Sequence, residues 1–86
     1  MERNILFNTG SFSDYTVWGL TDKKIFERLS QMIEQCRRTP FEGIGKPEPL
    51  KHQKHGFWSR RIDDKNRFVY KVEQDKIIIE SCKGHY

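Results

Sequence analysis

The chain has 86 residues, with 16 lysines and arginines against 12 aspartates and glutamates, which gives a formal net charge of +4. This length suits one small domain, residues 1–86, and excludes separate cofactor and substrate domains. The longest purely apolar runs have three residues, as at Ile77 to Ile79, whereas a membrane span needs about 20.

The first predicted elements are a short strand and a short helix. The apolar run Ile5-Leu6-Phe7 predicts a strand over residues 4–7. The run Ser11-Phe12-Ser13-Asp14 has the spacing of a capping box, and aromatic residues follow at intervals of three. These signals predict a helix that begins at Ser11 and ends at Gly19.

A second helix is predicted by one continuous apolar stripe. Thr21-Asp22 supplies a candidate N-cap, and Pro40 marks the end of the helical segment. The stripe positions follow the i, i+1, i+4, i+7, i+8, i+11 pattern and are Ile25, Phe26, Leu29, Met32, Ile33 and Cys36. We therefore expect this helix to pack against the core.

The second half of the chain predicts an antiparallel sheet after a long loop. Residues 41–56 contain five glycines and prolines, and long loops in small domains are usually functional. Strands are predicted over residues 57–62, 67–72 and 76–83, separated by polar turns. The fold class is therefore α+β, with two N-terminal helices packed on one face of a small, mostly antiparallel sheet.

Arg60 and Arg61 should point to opposite faces of that sheet, because side chains alternate along a strand. A five-residue turn after Arg61 would place it opposite Arg67, so that both share a face. A four-residue turn would place Ile62 there instead, and the sequence leaves both registers open.

The N-terminal residues show neither a long apolar stretch nor a small-residue cleavage site, so we expect a cytoplasmic protein. Cys36 and Cys82 both lie in apolar-patterned segments. One disulfide would be allowed, but a reducing compartment favours two buried thiols.

Two short motifs resemble ligand sites but lack residues that such sites need. Gly43 to Lys46 resembles part of a phosphate-binding loop, but Pro47 stands where serine or threonine must follow the lysine. His52 and His55 form a His-x-x-His pair without a nearby cysteine or carboxylate to complete a zinc shell. We therefore expect no metal site and no cofactor.

A more informative constellation is spread along the chain. Glu48 is held between two prolines, and we expect it to lie among cations that include Arg60 and Arg61. Arg67 opens a strand, and His85 is the penultimate residue. RNA cleavage needs a base for the ribose 2′-hydroxyl, a cation for the phosphate and an acid for the leaving oxygen. Each residue also has an interpretation without a function. Glu48 would form a surface ion pair, Arg67 would be a solvated edge arginine, and His85 would belong to a frayed chain end.

The charge distribution agrees with a polyanionic partner. Residues 1–45 carry six basic and six acidic side chains, whereas residues 46–86 carry ten and six together with all three histidines. A positive footprint confined to one half is compatible with RNA binding or with an ordinary solvated surface.

Several segments closely resemble the YoeB/Txe toxins of the RelE superfamily. They are Arg37 to Gly43, Gly45 to His52 (G-K-P-E-P-L-K-H), Gly56 to Ile62 (W-S-R-R-I), Arg67 to Tyr70 and Cys82 to Tyr86. The resemblance runs from residue 4 to the C-terminus. It implies a RelE-like microbial RNase fold and a ribosome-dependent mRNA endonuclease that cuts in the ribosomal A site and halts translation.

The resemblance also implies the roles of individual residues. Glu48 would be the general base, His85 the general acid and Arg67 the stabiliser of the phosphate transition state. The matching RNA-binding positions are Lys46, Lys51, Arg61 and Tyr86. The chain departs from the usual family pattern at Lys54-His55 and at Asn66, where a histidine is common.

The implied partners are a cognate antitoxin, the ribosome with its mRNA and a second copy in a homodimer, with no membrane. Phe57 or Trp58 could anchor the antitoxin. Three alternatives remain: a non-catalytic nucleic-acid-binding module, a relative that acts on DNA gyrase, and a degenerate toxin that only binds its antitoxin. The second lacks the catalytic trio, so Glu48, Arg67 and His85 argue against it.

Overall fold

The computed structural model describes residues 2–51 and 54–84, which form an α+β fold of five strands and two helices. The elements are β1 (Asn4–Phe7), α1 (Thr9–Thr21), α2 (Lys23–Cys36), β2 (Glu48–Pro49), β3 (Phe57–Arg61), β4 (Arg67–Val72) and β5 (Lys76–Ser81). The strand order is β1-β5-β4-β3-β2. Only the β1–β5 pairing is parallel among these strands, so the predicted fold class and mostly antiparallel sheet are confirmed.

Helix α1 begins earlier and ends later than its sequence pattern predicted. Its N-cap is Asn8, whose Oδ1 accepts a hydrogen bond from the Ser11 backbone nitrogen at 2.7 Å, and Ser11 is fully buried inside the first turn. Gly19 lies within the helix, where a Cβ would be 3.1 Å from the Phe26 ring. The glycine thus permits close packing of α1 on α2, and the predicted boundaries at Ser11 and Gly19 were wrong.

Helix α2 matches its predicted pattern. The Asp22 carboxylate accepts a hydrogen bond from the Ile25 backbone nitrogen at 3.1 Å, which confirms the N-cap. The buried residues of the helix are Leu29, Met32, Ile33 and Cys36. They join the sheet residues Phe68, Tyr70, Ile77 and Ile79 in the hydrophobic core, so the apolar stripe faces the sheet.

The strands of the second half also follow the predicted meander, with small differences at their ends. Strand β3 ends at Arg61 and β5 at Ser81, one and two residues before the predicted limits. The long loop contains the two-residue strand β2, which the sequence did not indicate. A two-residue strand has no alternating pattern to detect, and it forms here because β3 offers an edge for pairing.

Both cysteines are buried free thiols, as predicted. Burial raises the pKa of Cys36 to about 11 and that of Cys82 to about 12. Both thiols are therefore neutral at physiological pH. No helix within residues 2–51 and 54–84 is long and apolar enough to cross a membrane.

Candidate active site

The segment that leads to Glu48 is fastened to the core by the side chain of Arg60. This residue is fully buried, on the sheet face that the helices cover, and all five of its N–H groups have acceptors. The acceptors are the Tyr70 hydroxyl, the Gln35 side-chain oxygen and the backbone carbonyls of Thr39, Glu42 and Ile44, at 2.7–3.3 Å. Arg60 is therefore not one of the cations around Glu48, and that sequence expectation was wrong.

Two further contacts complete the attachment of this segment. The Tyr70 hydroxyl donates to the Pro40 carbonyl at 2.6 Å, and the Ile44 backbone nitrogen donates to the Gln35 side chain at 2.8 Å. Gly45 has a φ of +84°, and a Cβ there would lie 2.7 Å from the end of Met32. Only glycine fits both this backbone conformation and this close approach. The segment therefore holds one defined path before it reaches β2.

The register of the sheet places Glu48, Arg61 and Arg67 on the face opposite the helices, hereafter the open face. Glu48 pairs with Ser59 across β2 and β3, and Arg61 pairs with Arg67 across β3 and β4. Residues directly opposite each other share a face. The five-residue alternative for the turn after Arg61 is therefore the one adopted, and Arg61 shares a face with Arg67.

Glu48 and Arg67, distant in sequence, meet on the open face. Arg67 Nη1 lies 3.0 Å from Glu48 Oε1 and also donates to Ser59 Oγ at 3.1 Å. The Glu48 side chain is 55% exposed and that of Arg67 26% exposed, whereas Ser59 is fully buried. The arrangement presents a carboxylate and a guanidinium side by side to solvent, and the buried Ser59 hydroxyl holds the arginine from the sheet.

Ser59 was not among the predicted site residues. Strand alternation, which places it on the same face as Arg61, is the sequence signal that could have identified it.

The described cations that were predicted to bind RNA are Lys46, Lys51 and Arg61. Arg61 forms a surface ion pair with Asp64, and the two lysines flank Glu48 in sequence, two residues before and three after it. Lys46 has a φ of +52°, which is uncommon outside glycine. All three side chains are exposed and available to a polyanion, and their role in RNA binding stays a prediction.

Phe57 and Trp58 lie on opposite faces of β3. The Phe57 ring is half-buried on the open face, beneath the ammonium groups of Lys54 and Lys71 at 5.3 and 5.9 Å. Trp58 packs on the helix side against the core and against Phe41, with ring centroids 4.9 Å apart. Of these two aromatic residues, Phe57 therefore shares a face with the candidate site.

The predicted acid His85 and the predicted RNA contact Tyr86 lie outside the described residues, as does His52 of the His-x-x-His pair. The last described residue, Gly84, lies beside Arg67: the Arg67 backbone nitrogen donates to the Gly84 carbonyl at 3.0 Å. Within residues 2–51 and 54–84, no three side chains of His, Cys, Asp or Glu form a group that could hold a metal ion.

Comparisons with known proteins agree with one another. Residues 7–86 match the family described as "YoeB-like toxin of bacterial type II toxin-antitoxin system". "Toxin YoeB" of Escherichia coli (strain K12) is 49% identical over 82 residues, which cover 95% of this chain and 98% of that protein. Among solved structures, a YoeB dimer from Staphylococcus aureus has a TM-score of 0.90 at 40% identity. A heterotetrameric YoeB–YefM toxin–antitoxin complex from the same organism has a TM-score of 0.88 at 40% identity. In both comparisons the match covers 100% of this chain and 100% of the matched chain.

Proposed function

The chain belongs to the family of YoeB-like toxins of bacterial type II toxin–antitoxin systems, and on this premise we propose that it is a ribosome-dependent endoribonuclease. It cleaves mRNA in the ribosomal A site and thereby halts translation. The observation that carries the proposal is the pairing of Glu48 with Arg67 on the open face, at 3.0 Å. This pair places a proton acceptor next to a phosphate-binding cation.

The reaction uses the protein's own acid and base groups. Glu48 takes the proton of the ribose 2′-hydroxyl, and the 2′-oxygen attacks the adjacent phosphorus. Arg67 stabilises the charge that develops on the phosphate oxygens. His85 gives a proton to the departing 5′-oxygen. The products are a 2′,3′-cyclic phosphate and a free 5′-hydroxyl, and the mechanism calls on no metal ion or cofactor.

The exposure of the Glu48–Arg67 pair is compatible with this role. An ion pair that faces solvent contributes only about 0–1 kcal/mol, so a phosphate can displace the carboxylate from the guanidinium at small cost. The bond from Arg67 to buried Ser59 provides a contact that does not depend on Glu48. Arg67 can therefore stay in place while Glu48 turns to the ribose.

The remaining cations of the open face and its rim would hold the message. Lys51 and Arg61 are exposed, and with Lys46 and Tyr86 they are the proposed RNA contacts. Contacts between cations and phosphates release counterions, so binding should weaken steeply as salt rises. The site would act in the cytoplasm, where it meets ribosomes.

The family also suggests protein partners. The YoeB relative in S. aureus is found both as a dimer and in a complex with YefM. By extension we infer that a cognate antitoxin neutralises this chain and that two copies associate. A disordered antitoxin segment would fold as it binds along the open face and its cations.

Translation in a purified ribosome system, followed by mapping of mRNA ends, tests the catalytic role. The wild type should cut within the A-site codon, and Glu48→Gln should slow cleavage by about 10²–10⁴-fold because the general base is lost. Glu42→Gln is a matched control, since Glu42 is an exposed glutamate of the same segment whose backbone carbonyl, not its carboxylate, binds Arg60.

Two results would contradict the proposal. Inhibited translation with unbroken message would favour a nucleic-acid-binding module. Equal activity of Glu48→Gln and Glu42→Gln would show that the carboxylate of Glu48 takes no part in the chemistry.

A further inference from the structure

The chain segment that follows β5 is held by four hydrogen bonds that are not part of the sheet ladder. Strand β5 ends at Ser81, and a chain end beyond a strand is expected to fray unless it is fastened. Cys82 and Gly84 are each held through both their backbone nitrogen and their carbonyl oxygen. The partners come from two separate parts of the fold.

Helix α1 holds Cys82. Asp14 Oδ2 accepts a hydrogen bond from the Cys82 backbone nitrogen at 3.1 Å, and the Trp18 indole Nε1 donates to the Cys82 carbonyl at 2.8 Å. Asp14 and Trp18 are four residues apart, so both lie on one face of the helix. Asp14 is the one charged side chain in the sequence of α1, and this helix-to-tail contact uses it.

The turn before β4 holds Gly84. Asn66 Oδ1 accepts a hydrogen bond from the Gly84 backbone nitrogen at 2.8 Å, and the Arg67 backbone nitrogen donates to the Gly84 carbonyl at 3.0 Å. Asn66 is itself oriented by Asp63, whose Oδ1 accepts from the Asn66 backbone nitrogen at 2.8 Å and from its side-chain nitrogen at 3.1 Å. The asparagine that departs from the usual family pattern thus has a defined contact.

The backbone of Gly84 is suited to this attachment. Its φ is +77°, a conformation that other residues adopt at a cost, although a Cβ there would meet nothing within 4 Å. The two fastened residues fix both the position and the direction of the chain where His85 is covalently attached. They also tie that point to the backbone of Arg67.

From these four contacts we propose that Asp14, Trp18 and Asn66 are positioning residues that place His85 for protonation of the leaving 5′-oxygen. The inference rests on the proposed function. By this inference, residues of α1, which packs on the face opposite the open face, influence proton donation at the site on the open face. None of the three residues touches the reacting atoms, and each acts through the backbone of Cys82 or Gly84.

A substrate with sulfur in place of the 5′-oxygen at the scissile linkage distinguishes a misplaced His85 from a general loss of folded protein. A thiolate leaves without being protonated, so a misplaced acid slows cleavage of the natural linkage and spares the sulfur linkage. A variant that merely destabilises the fold slows both equally. Glu48→Gln should also slow both, because the 2′-hydroxyl must lose its proton in each case.

Trp18→Phe is the mildest variant, because it removes the indole N–H and keeps an aromatic ring. We expect it to slow cleavage of the natural linkage by about 10-fold or more, a part of the usual effect of general acid catalysis, and cleavage of the sulfur linkage far less. Asp14→Leu should behave in the same way, and Asp14→Asn should restore most of the rate because it keeps an acceptor. Val17→Ala, an exposed neighbour on α1, is the control for the helix.

Asn66→Ala tests the second attachment independently of α1, and its effect should show the same preference for the natural linkage. Equal losses on both linkages, or no loss in Trp18→Phe and Asn66→Ala, would overturn the proposal. So would an Asp14→Asn variant as slow as Asp14→Leu.

An NMR measurement keeps the inference separate from the proposed function. The heteronuclear NOE of the Gly84 backbone nitrogen should fall in Trp18→Phe and in Asn66→Ala, and should stay unchanged in Val17→Ala. An unchanged NOE in the first two would refute the attachment itself. A wild type that cuts neither linkage would refute the proposed function, and the NOE would still decide whether these residues fix the chain end.

Discussion

Replacing Arg60 by lysine tests whether a buried guanidinium holds the segment that carries Glu48. Arg60 donates five hydrogen bonds from a fully buried position, and a lysine ammonium has three N–H groups. At least two bonds are therefore lost. At about 1.5 kcal/mol for each bond to a charged group, Arg60→Lys should lower the free energy of unfolding by about 3 kcal/mol.

Arg61→Lys is the matched control, since it makes the same substitution at the next position of the same strand. The Arg61 side chain is 52% exposed, and its ion pair with Asp64 faces solvent. Such pairs contribute about 0–1 kcal/mol. The two neighbouring variants should therefore differ in stability by about 2 kcal/mol or more, although the chemical change is the same in both.

Urea unfolding followed by tryptophan fluorescence and circular dichroism measures this difference. For a domain of this size, a loss of about 3 kcal/mol corresponds to a fall of roughly 12–24 °C in the melting temperature, which offers a second readout. If Arg60→Lys and Arg61→Lys shifted the unfolding midpoint by the same small amount, the guanidinium would not be what fastens the segment. The position of Glu48 would then need a different physical cause.

Two further predictions concern the packing of the segment and the thiols. Gly45→Ala should lower the free energy of unfolding by about 1 kcal/mol more than Gly56→Ala. Both glycines have a positive φ, but only a Cβ at Gly45 would clash, 2.9 Å from the backbone oxygen of Arg61. Equal losses in urea unfolding would contradict this. The pKa values of Cys36 and Cys82 are raised from 9.0 to about 11 and about 12, so their stabilisation is complete below pH 9 and is lost as pH rises towards those values. Unfolding at pH 8 and pH 10 should show a loss of about 1 kcal/mol per thiol. Cys36→Ala should reduce this loss by about 1 kcal/mol, and a pH-independent stability would refute the assignment.

Part of the site can be predicted from the sequence because it depends on which residues are neighbours along the chain. The bracketing of Glu48 by two prolines and the place of Arg67 just after a turn are readable along the chain. The structure brings these two residues together, as the cleavage hypothesis required. The catalytic roles of Glu48, Arg67 and His85 stay predictions, as does the RNA-binding role of Tyr86. Ribosomal cleavage assays are the direct test of them.

Other features of the site could not be read from the sequence. Burial separates Arg60 from Arg61, although both are arginines in one strand, because alternation shows that they differ without showing which of them faces the helices. The pairing of Arg61 with Arg67 depends on the length of a turn, which two registers fitted equally well.

Local periodicity and chain chemistry alone determined helix α2, the three antiparallel strands of the second half and the burial of the two cysteines. These features need only a repeat of 3.6 or 2 residues, or the apolar setting of a cysteine. Tertiary packing decided the interior position of Gly19, the strand at Glu48 and the attachment of Cys82 to α1. Each of these depends on which surfaces meet in space, and that is a property of the whole folded chain rather than of any one segment.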